Sequence, residues 1–355
     1  MDDRENPQQR VVTINDVAKL SGTSIATVSR VLSQSSYPVS AKTRKRVEDA
    51  ARALQYAPNL LGSMLKSKNN RSLGIVIPSF QNPYFVQLTM GIENAAKARG
   101  YSTFVFSSQR DPQKERELIS QSLQLHLSGL MLSSIGKEPD ALTAFLDSGA
   151  GAVIFEANFP LDPRAIDATS HMDENGYLAT EHLLSLGHRD IVLLTTPLNK
   201  HNRKMVSKGF QNAMAAHGLP VSPQEDIIES SFEREMDDGL FEFEAGRELA
   251  QRLLHAPRRY TGVVAVNDLV ACGVIQQLLR YGVRVPGDVS VIGIDDIPQC
   301  VMMTPTLSSV NQQSYQHGHA ACMQLIDGLE KGAVPAGQRC YCKPRVVMRE
   351  STAAL

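Results

Sequence analysis

The sequence lacks the features that mark membrane, secreted and disulfide-stabilised proteins. No apolar run reaches the roughly 20 residues that span a bilayer, and residues 1–10 are polar, unlike a signal peptide. The five cysteines lie in the last quarter of the chain, none forms a Cys-x-x-Cys pair, and no clustered histidines complete a zinc site. We therefore expect a soluble cytoplasmic protein with reduced thiols and with neither a metal nor a cofactor.

Motifs of the common α/β enzymes are also missing. No Gly-x-Gly-x-x-Gly follows the first predicted strand, and the sequence holds neither a phosphate-binding P-loop nor a Gly-x-Ser-x-Gly nucleophile turn. The histidines are scattered along the chain. These absences predict that the protein is not an enzyme.

The net charge of −1 hides an asymmetry along the chain. Residues 11–68 carry nine lysines and arginines against three acidic residues, so this segment has a charge of +6 and the remainder −7. A basic head on an acidic body indicates that a polyanion such as nucleic acid binds at one end. The alternative is a basic face that only contacts solvent.

The basic head has the pattern of short helices without a strand. Thr13 and the carboxylate three residues later resemble a capping box that starts a first helix, which Gly22 ends. Ser24 is placed to cap a second helix over residues 25–32, and Ser40 a third. Two helices joined by a tight glycine turn predict a helix-turn-helix, with a small structural bundle as the alternative.

The second helix is predicted to lie in the major groove of DNA. Residues at i and i+4 spacing form its reading face, namely Ile25, Ala26, Ser29 and Arg30. Arg30 can donate two hydrogen bonds to guanine, worth roughly 1–3 kcal/mol of discrimination, while Ile25 and Ala26 offer apolar contact to a thymine methyl. Phosphate contacts are expected from Thr27, Ser40 and Thr43. Thr13 and Ser24 complete this predicted DNA-binding set.

Beyond the head, apolar runs alternate with amphipathic stretches. The runs lie at residues 73–77, 103–106, 130–132, 152–155, 191–194, 263–266 and 289–294. Such an alternation predicts an α/β fold with parallel sheets covered by helices on both faces. Residues 72–355 are too many for one sheet, so we expect two lobes with a cleft between them. Ligands of such sheets bind beyond the carboxyl ends of the strands.

These residues resemble the LacI/GalR family of bacterial repressors over essentially the whole chain. The head matches in TINDVAKLSGTSIATVSRVL at 13–32, VSAKTR at 39–44 and YAPN at 56–59. The body matches in NPYF at 82–85, HLLSLGHR at 182–189, VPGDVSVIGIDD at 285–296 and PRVVMRES at 344–351. The resemblance implies a homodimeric, nucleoid-associated repressor that binds a palindromic operator and responds to a small effector.

The resemblance also implies a domain plan. A flexible tail at 1–10 precedes the helix-turn-helix domain at 11–57, and a hinge helix and linker at 58–71 lead to a body at 72–355 that resembles periplasmic sugar-binding proteins. In the family the hinge helix places a leucine in the minor groove, and Leu65, with Lys66 beside it, matches that position. No heptad helix follows the last predicted strand, so we expect dimers rather than tetramers.

The family binds its effector between the lobes, at strand-end loops. Asn267 and Asp295 match positions that hydrogen-bond sugar hydroxyls, and Phe241 matches an aromatic that stacks on the ligand. The other predicted effector residues follow strand ends: Tyr84, Phe85, Ser133, Ser134, Glu156, Ser170 and Arg203.

Two departures from the family pattern concern the effector. Val206 stands where many relatives have an arginine, and Ser170-His171 replaces a common Asp-Asn pair. Lys200, His201, Arg203 and Lys204 supply charge just upstream of Val206. One interpretation is an anionic effector, such as a sugar acid or a sugar phosphate, held by charge-assisted hydrogen bonds. The alternative is a solvated basic loop beside a neutral-sugar pocket. For the whole chain, the alternative is a sugar-binding or sugar-modifying α/β protein without operator function.

Overall fold

A computed structural model describes residues 12–32, 37–56, 70–137, 139–232 and 240–355. The chain forms two compact units, Met1–Asn70 and Arg71–Leu355, and each is described by itself. The predicted hinge helix, including Leu65 and Lys66, lies outside the described residues.

The first unit contains the three predicted helices, which are α1 (Ile14–Ser21), α2 (Ile25–Leu32) and α3 (Ala41–Ala53). The carboxylate of Asp16 accepts hydrogen bonds from the backbone N–H (2.9 Å) and the hydroxyl (2.7 Å) of Thr13, which confirms the capping box. Ser24 and Ser40 cap α2 and α3 as predicted, because their Oγ atoms accept from the backbone N–H three residues on.

The turn between α1 and α2 is fixed by backbone geometry and by one arginine. Gly22 has a φ of 62°, a left-handed conformation that suits glycine. The guanidinium of Arg46 on α3 donates to the carbonyl oxygens of Ser21 and Gly22 at this turn. Arg46 therefore ties α3 to the turn and satisfies carbonyl groups at the end of α1.

The second unit has two lobes, each built on a parallel sheet. Lobe 1 has five strands in the order β2-β1-β3-β4-β5: β1 (Ser72–Ile77), β2 (Ser102–Ser107), β3 (Gly129–Ser133), β4 (Gly151–Glu156) and β5 (Ile166–Asp167). Lobe 2 has six in the order β11-β10-β9-β8-β6-β7: β6 (Ile191–Thr195), β7 (Ile227–Glu229), β8 (Gly262–Ala265), β9 (Ser290–Ile294), β10 (Ser308–Asn311) and β11 (Arg345–Val347). All neighbours are parallel except β10 and β11.

Helices cover both faces of the sheets. In chain order they are α4 (Pro83–Ala98), α5 (Pro112–Gln124), α6 (Asp140–Asp147), α7 (Met172–Ser185), α8 (His201–Ala216), α9 (Pro223–Asp226), α10 (Phe241–Leu254), α11 (Asp268–Arg280) and α12 (Ser314–Glu330), with a short 3-10 helix at Pro298–Val301. In lobe 1, one apolar cluster joins the sheet to α4 and α12, and another joins it to α5 and α6. The predicted α/β, two-lobed architecture is confirmed.

Within the described residues, the chain crosses between the lobes at 168–171, 312–313 and 340–344. The last two crossings exist because α12 packs on the sheet of lobe 1 although its neighbours β10 and β11 belong to lobe 2. The side-chain amide of Gln313 donates to the carbonyl oxygen of Lys343 at 2.5 Å, which joins two of these segments. Any motion of one lobe against the other must therefore bend these three crossing segments, two of which are joined by a hydrogen bond.

Three helix pairs in the described part of the body cross through reciprocal glycines. Gly91 on α4 meets Gly318 on α12, and Gly176 on α7 meets Gly209 on α8. Gly246 on α10 meets Gly273 on α11 in the same way. A methyl carbon added at Gly209 would lie 1.9 Å from the carbonyl oxygen of Asp173 on α7. Since both sides of the contact are backbone, the helices cannot accept a side chain without moving apart.

We expect Gly209→Ala to lower the free energy of unfolding by about 1–3 kcal/mol, because α7 and α8 would be forced apart. Urea denaturation measures this change. Gly287→Ala is the control, since the nearest atoms to an added carbon there are side-chain atoms of Arg284, at 3.3 Å or more, and not backbone. Equal effects of the two substitutions would contradict backbone contact as the reason for glycine.

Candidate functional site

The first unit exposes one face of α2. Val28 and Val31 are buried against α1 and α3, whereas the other side of the helix is solvent-exposed, and Ile25 is 50% exposed. That exposed side holds Ser24, Ile25, Ala26, Ser29 and Arg30. The predicted reading residues thus lie together on a surface that the small core does not use.

Arg30 is positioned by an aromatic ring. Its guanidinium lies 4.1 Å from the centroid of the Tyr37 ring, within cation–π distance. The ring limits the rotamers of a long side chain at the surface, so less entropy is lost when Arg30 binds a partner. The sequence pattern around Arg30 did not predict this contact.

The helix starts of the first unit expose hydroxyl groups. Ser24 and Thr27 share a hydrogen bond at 2.9 Å at the start of α2, and Ser40 and Thr43 share one of the same length at the start of α3. Ser24 and Ser40 are exposed, Thr27 and Thr43 half-buried, and Thr13 exposed at the start of α1. Helix N-termini carry partial positive charge and N–H donors, which suit phosphate groups.

The second unit contains a cleft of about 660 Å³ between its two lobes. Its walls come from the carboxyl ends of strands in both sheets, where the strand pattern predicted a ligand site. Eight of the ten predicted effector residues line it: Tyr84, Phe85, Ser134, Glu156, Ser170, Arg203, Asn267 and Asp295.

Asp295 is held by a hydrogen-bonded chain that reaches a lobe crossing. The side-chain amide of Gln312, on the crossing segment 312–313, donates to Asp295 Oδ1 at 2.5 Å. Asn175 on α7 in turn donates to Gln312 Oε1 at 3.0 Å. Burial, and then the nearby charge of Asp268, raise the pKa of Asp295 well above its usual value. A ligand that hydrogen-bonds Asp295 therefore acts on a group connected to the inter-lobe segment.

Asn267 has one of its two polar atoms already in use. Its Oδ1 accepts the backbone N–H of Val270 at 2.9 Å and so caps α11. The Nδ2 group can donate to a ligand, and the second lone pair of Oδ1 can still accept from one. The expectation that this amide both donates and accepts toward a ligand stays a prediction.

Two predicted effector residues do not line the cleft. Ser133 is only 1% exposed within lobe 1, so its hydroxyl is enclosed by the lobe. The Phe241 ring is 4% exposed, packs edge-on against Phe232, and has the guanidinium of Arg110 5.7 Å from its centroid. A ligand would stack on Phe241 only if these neighbours moved.

The basic residues near α8 are only partly directed at the cleft. Lys200, His201 and Arg203 line it, but exposed Lys204 does not. The guanidinium of Arg203 donates to the carbonyl oxygen of Pro197 at 3.1 Å. Four carboxylates also line the cleft, namely Glu156, Asp173, Glu242 and Asp295. Arg110 also lines the cleft and pairs with Glu242, so the acidic and basic side chains of the cleft nearly balance.

Several cleft residues were not predicted. Arg110 follows β2, Asn158 follows β4 and Gln312 follows β10, so each obeys the same strand-end rule. Gln312 was not predicted as a cleft residue because β10, which precedes it, was not predicted. The sequence SSVN at 308–311 is not an apolar run. Glu242 lies in the first turn of α10, and no local pattern marked it.

Two family models match separate segments of the chain. The family model for bacterial regulatory proteins of the lacI family matches residues 13–59, and that of the periplasmic binding protein-like domain matches residues 180–352. The chain is 31% identical over 348 residues to the HTH-type transcriptional regulator DegA of Bacillus subtilis (strain 168), covering 97% of this chain and 98% of the relative. The chain belongs to the LacI family.

Other similarities are consistent with that membership. The HTH-type transcriptional repressor PurR of Actinobacillus pleuropneumoniae serotype 3 (strain JL03) is 30% identical over 342 residues, covering 96% of this chain and 98% of the relative. Among solved structures, the lac repressor bound to ONPG is 25% identical with a TM-score of 0.79, covering 97% and 100%. A complex of the regulator CelR with cellobiose is also 25% identical, with a TM-score of 0.67 and coverage of 96% and 99%.

This LacI-family chain is accordingly a DNA-binding transcriptional regulator and not an enzyme. In the described residues, no group of three or more histidine, cysteine or acidic side chains is arranged to hold a metal ion. No helix in the part of the chain that the structure describes is long and apolar enough to cross a membrane.

Asp268, which follows the cleft residue Asn267 in this LacI-family body, carries a fully buried carboxyl group. Its Oδ1 accepts from the Ser309 hydroxyl at 2.6 Å, and its Oδ2 from the Ile297 backbone N–H at 2.9 Å and the Cys300 thiol at 3.2 Å. Burial raises the pKa of Asp268 to about 7, although these hydrogen bonds oppose the shift. The folded protein thus keeps a proton here that the unfolded chain loses near pH 4.

Because folded Asp268 keeps its proton, we expect the free energy of unfolding of the protein to depend on pH. Because the folded pKa is the higher one, the contribution of Asp268 is fully present below about pH 4 and is lost as the pH rises toward about 7. Relative to Asp268→Asn, the free energy of unfolding of the wild type should fall by about 1–3 kcal/mol between pH 5 and 8. Urea denaturation at several pH values measures the difference.

The matched control is Asp140→Asn, since Asp140 also begins a helix but is exposed. The pKa values of His182, His188 and His317 are lowered by burial. Their protonation lowers the free energy of unfolding as the pH falls below 6.5, opposite to the effect of Asp268. This change is the same in the wild type, Asp268→Asn and Asp140→Asn. Parallel pH profiles for wild type and Asp268→Asn would contradict the raised pKa.

Proposed function

We propose that this chain is a cytoplasmic, nucleoid-associated repressor that binds a palindromic operator as a homodimer. A small neutral polyhydroxylated effector in the cleft regulates it. The observation that carries the proposal is the exposed face of α2, where Arg30 stands beside Ile25 and Ala26 on a folded helix-turn-helix. Tyr37 holds the guanidinium of Arg30 at this exposed face, where it can meet a base edge.

In this proposal the contacts to DNA divide by chemistry. Arg30 donates to a guanine edge, and Ile25 and Ala26 contact methyl groups. The hydroxyl groups at the starts of α2 and α3 contact phosphates and fix the register. Leu65 and Lys66, which lie outside the described residues, are assigned the minor-groove contact by the family resemblance.

Exposed apolar side chains on lobe 2 support a homodimer. Leu279 and Tyr281 lie at the end of α11 and are 42% and 58% exposed, and Val301 and Met302 are 60% and 74% exposed. Cys272, near the start of α11, contacts Met303 at 3.5 Å between sulfur atoms, so the segment after the 3-10 helix lies against α11. Exposed apolar side chains are typical of protein–protein contacts, and a two-fold dimer fits a palindromic site.

The chemistry of the cleft supports a neutral ligand rich in hydroxyl groups. Glu156 on lobe 1 and Asp295 on lobe 2 can each accept hydrogen bonds from hydroxyls, and Asn267 can donate one. Tyr84 and Phe85 supply an apolar wall. A phosphate or carboxylate would have to approach the carboxylates of Glu156 and Asp173, while Arg203 is already bonded to a backbone carbonyl. Similar regulators have been solved with cellobiose and with ribose.

We expect Arg30→Ala to remove discrimination at one base pair in each half-site, at a cost of about 1–3 kcal/mol for the preferred base. Operators are first selected from random duplexes with the full-length protein, and affinities for point-changed operators are then measured by fluorescence anisotropy. Arg52→Ala is the control, because Arg52 is also an exposed arginine of the first unit but lies on α3 and not on the reading face of α2. Unchanged base preference in Arg30→Ala would refute the assignment.

Calorimetric titration of the full-length protein should distinguish the effector classes. Ribose and cellobiose serve as neutral probes, and gluconate and glucose 6-phosphate as acidic ones. We expect binding of a neutral sugar, weakened about tenfold or more in Asp295→Asn, since that substitution replaces an acceptor by a group that must also place two N–H donors. Binding of the acidic probes alone would overturn the neutral-effector proposal and favour the basic cluster near α8.

A further inference from the structure

One ion pair in the described part of the body joins the two lobes from inside the cleft. The guanidinium of Arg110, in the loop after β2 of lobe 1, lies 2.5 Å from Glu242 Oε1, in the first turn of α10 of lobe 2. Both side chains are only 7% exposed, and both line the cleft. A charge pair this buried is expensive to break on one side only, because the remaining charge stays out of water.

The loop that carries Arg110 has an unusual backbone conformation. Gln109 and Arg110 have φ values of 53° and 60°, left-handed conformations that non-glycine residues rarely adopt. The loop is held there by hydrogen bonds from the Arg110 N–H to the Pro78 carbonyl (2.9 Å) and from the Gln109 N–H to the Ser107 hydroxyl (3.2 Å). Strain of this kind persists where the surrounding structure requires it, and it clusters at functional sites.

We propose that Arg110 and Glu242 form a latch that holds the two lobes together before the effector binds. A ligand that contacts both walls binds best when the walls are close. The latch therefore sets the fraction of molecules that are ready to bind, and this role rests on the proposed function of the cleft. When the lobes separate, water solvates both charged side chains, so the free-energy cost of opening is modest. The cost is high only when one of the two charges is removed and the other stays buried.

A second inter-lobe contact reports whether the latch is closed. The backbone N–H of His201, at the start of α8 in lobe 2, donates to Asn158 Oδ1 in lobe 1 at 3.1 Å. Separation of the lobes removes this acceptor without unfolding either lobe. Amide hydrogen exchange at His201 should therefore follow lobe opening, whereas exchange in the core strand β6 should follow unfolding of lobe 2.

The test is hydrogen–deuterium exchange of the full-length protein without DNA or ligand. Arg110→Gln and Glu242→Gln should each raise exchange about tenfold or more in the peptide that contains His201, with exchange in β6 unchanged. The reversed pair, Arg110→Glu with Glu242→Arg, should restore exchange to within about twofold of wild type. It also keeps the test valid if a single variant folds poorly.

Glu244→Gln is the matched control, because it breaks the Arg247–Glu244 pair (3.1 Å), which lies on the same helix but within lobe 2. Wild-type exchange at His201 in both single variants would overturn the latch. Increased exchange in β6 together with His201 would also overturn it, since the pair would then only stabilise the fold. Neither result involves DNA or effector, so the proposed function stands or fails on its own experiments.

Discussion

The constraint on which the body depends is that strands of two parallel sheets end at the same cleft. Parallel strands leave unpaired backbone ends and loops on one edge of each sheet, so polar side chains gather where the two edges meet. Glu156 and Asp295 come to the cleft in this way from β4 and β9. The glycine crossings of the helix pairs keep each wall compact, and the three connections between lobes leave the walls able to move as units.

The fold was largely predictable because its strongest signals are local. Continuous apolar runs marked seven strands, and cap residues marked the three helices of the head. The strands that escaped, such as β5 and β11, have two or three residues and depend on neighbours rather than on their own sequence. Arg46 was counted only as part of a basic face, although it binds the turn after α1.

The site was less predictable because its key contacts are distant in sequence. Strand ends and the family resemblance placed eight of the ten predicted residues on the cleft wall. Phe241 was expected to stack on a ligand, but Arg110 and Phe232 pack against its ring. The partner of Arg110 is 132 residues away, and no spacing rule connects the two. Such pairs are visible only after the lobes are assembled.

Effector binding in the cleft and operator binding by the first unit are expected to be thermodynamically linked. An effector can change operator affinity only by its difference in affinity between the DNA-competent state and the other state. The most direct measurement is the dissociation constant for the selected operator, with and without a saturating sugar that binds in the calorimeter. We expect a change of at least about fivefold, the lower end of typical coupling. Identical operator affinities with the cleft empty and filled would contradict it.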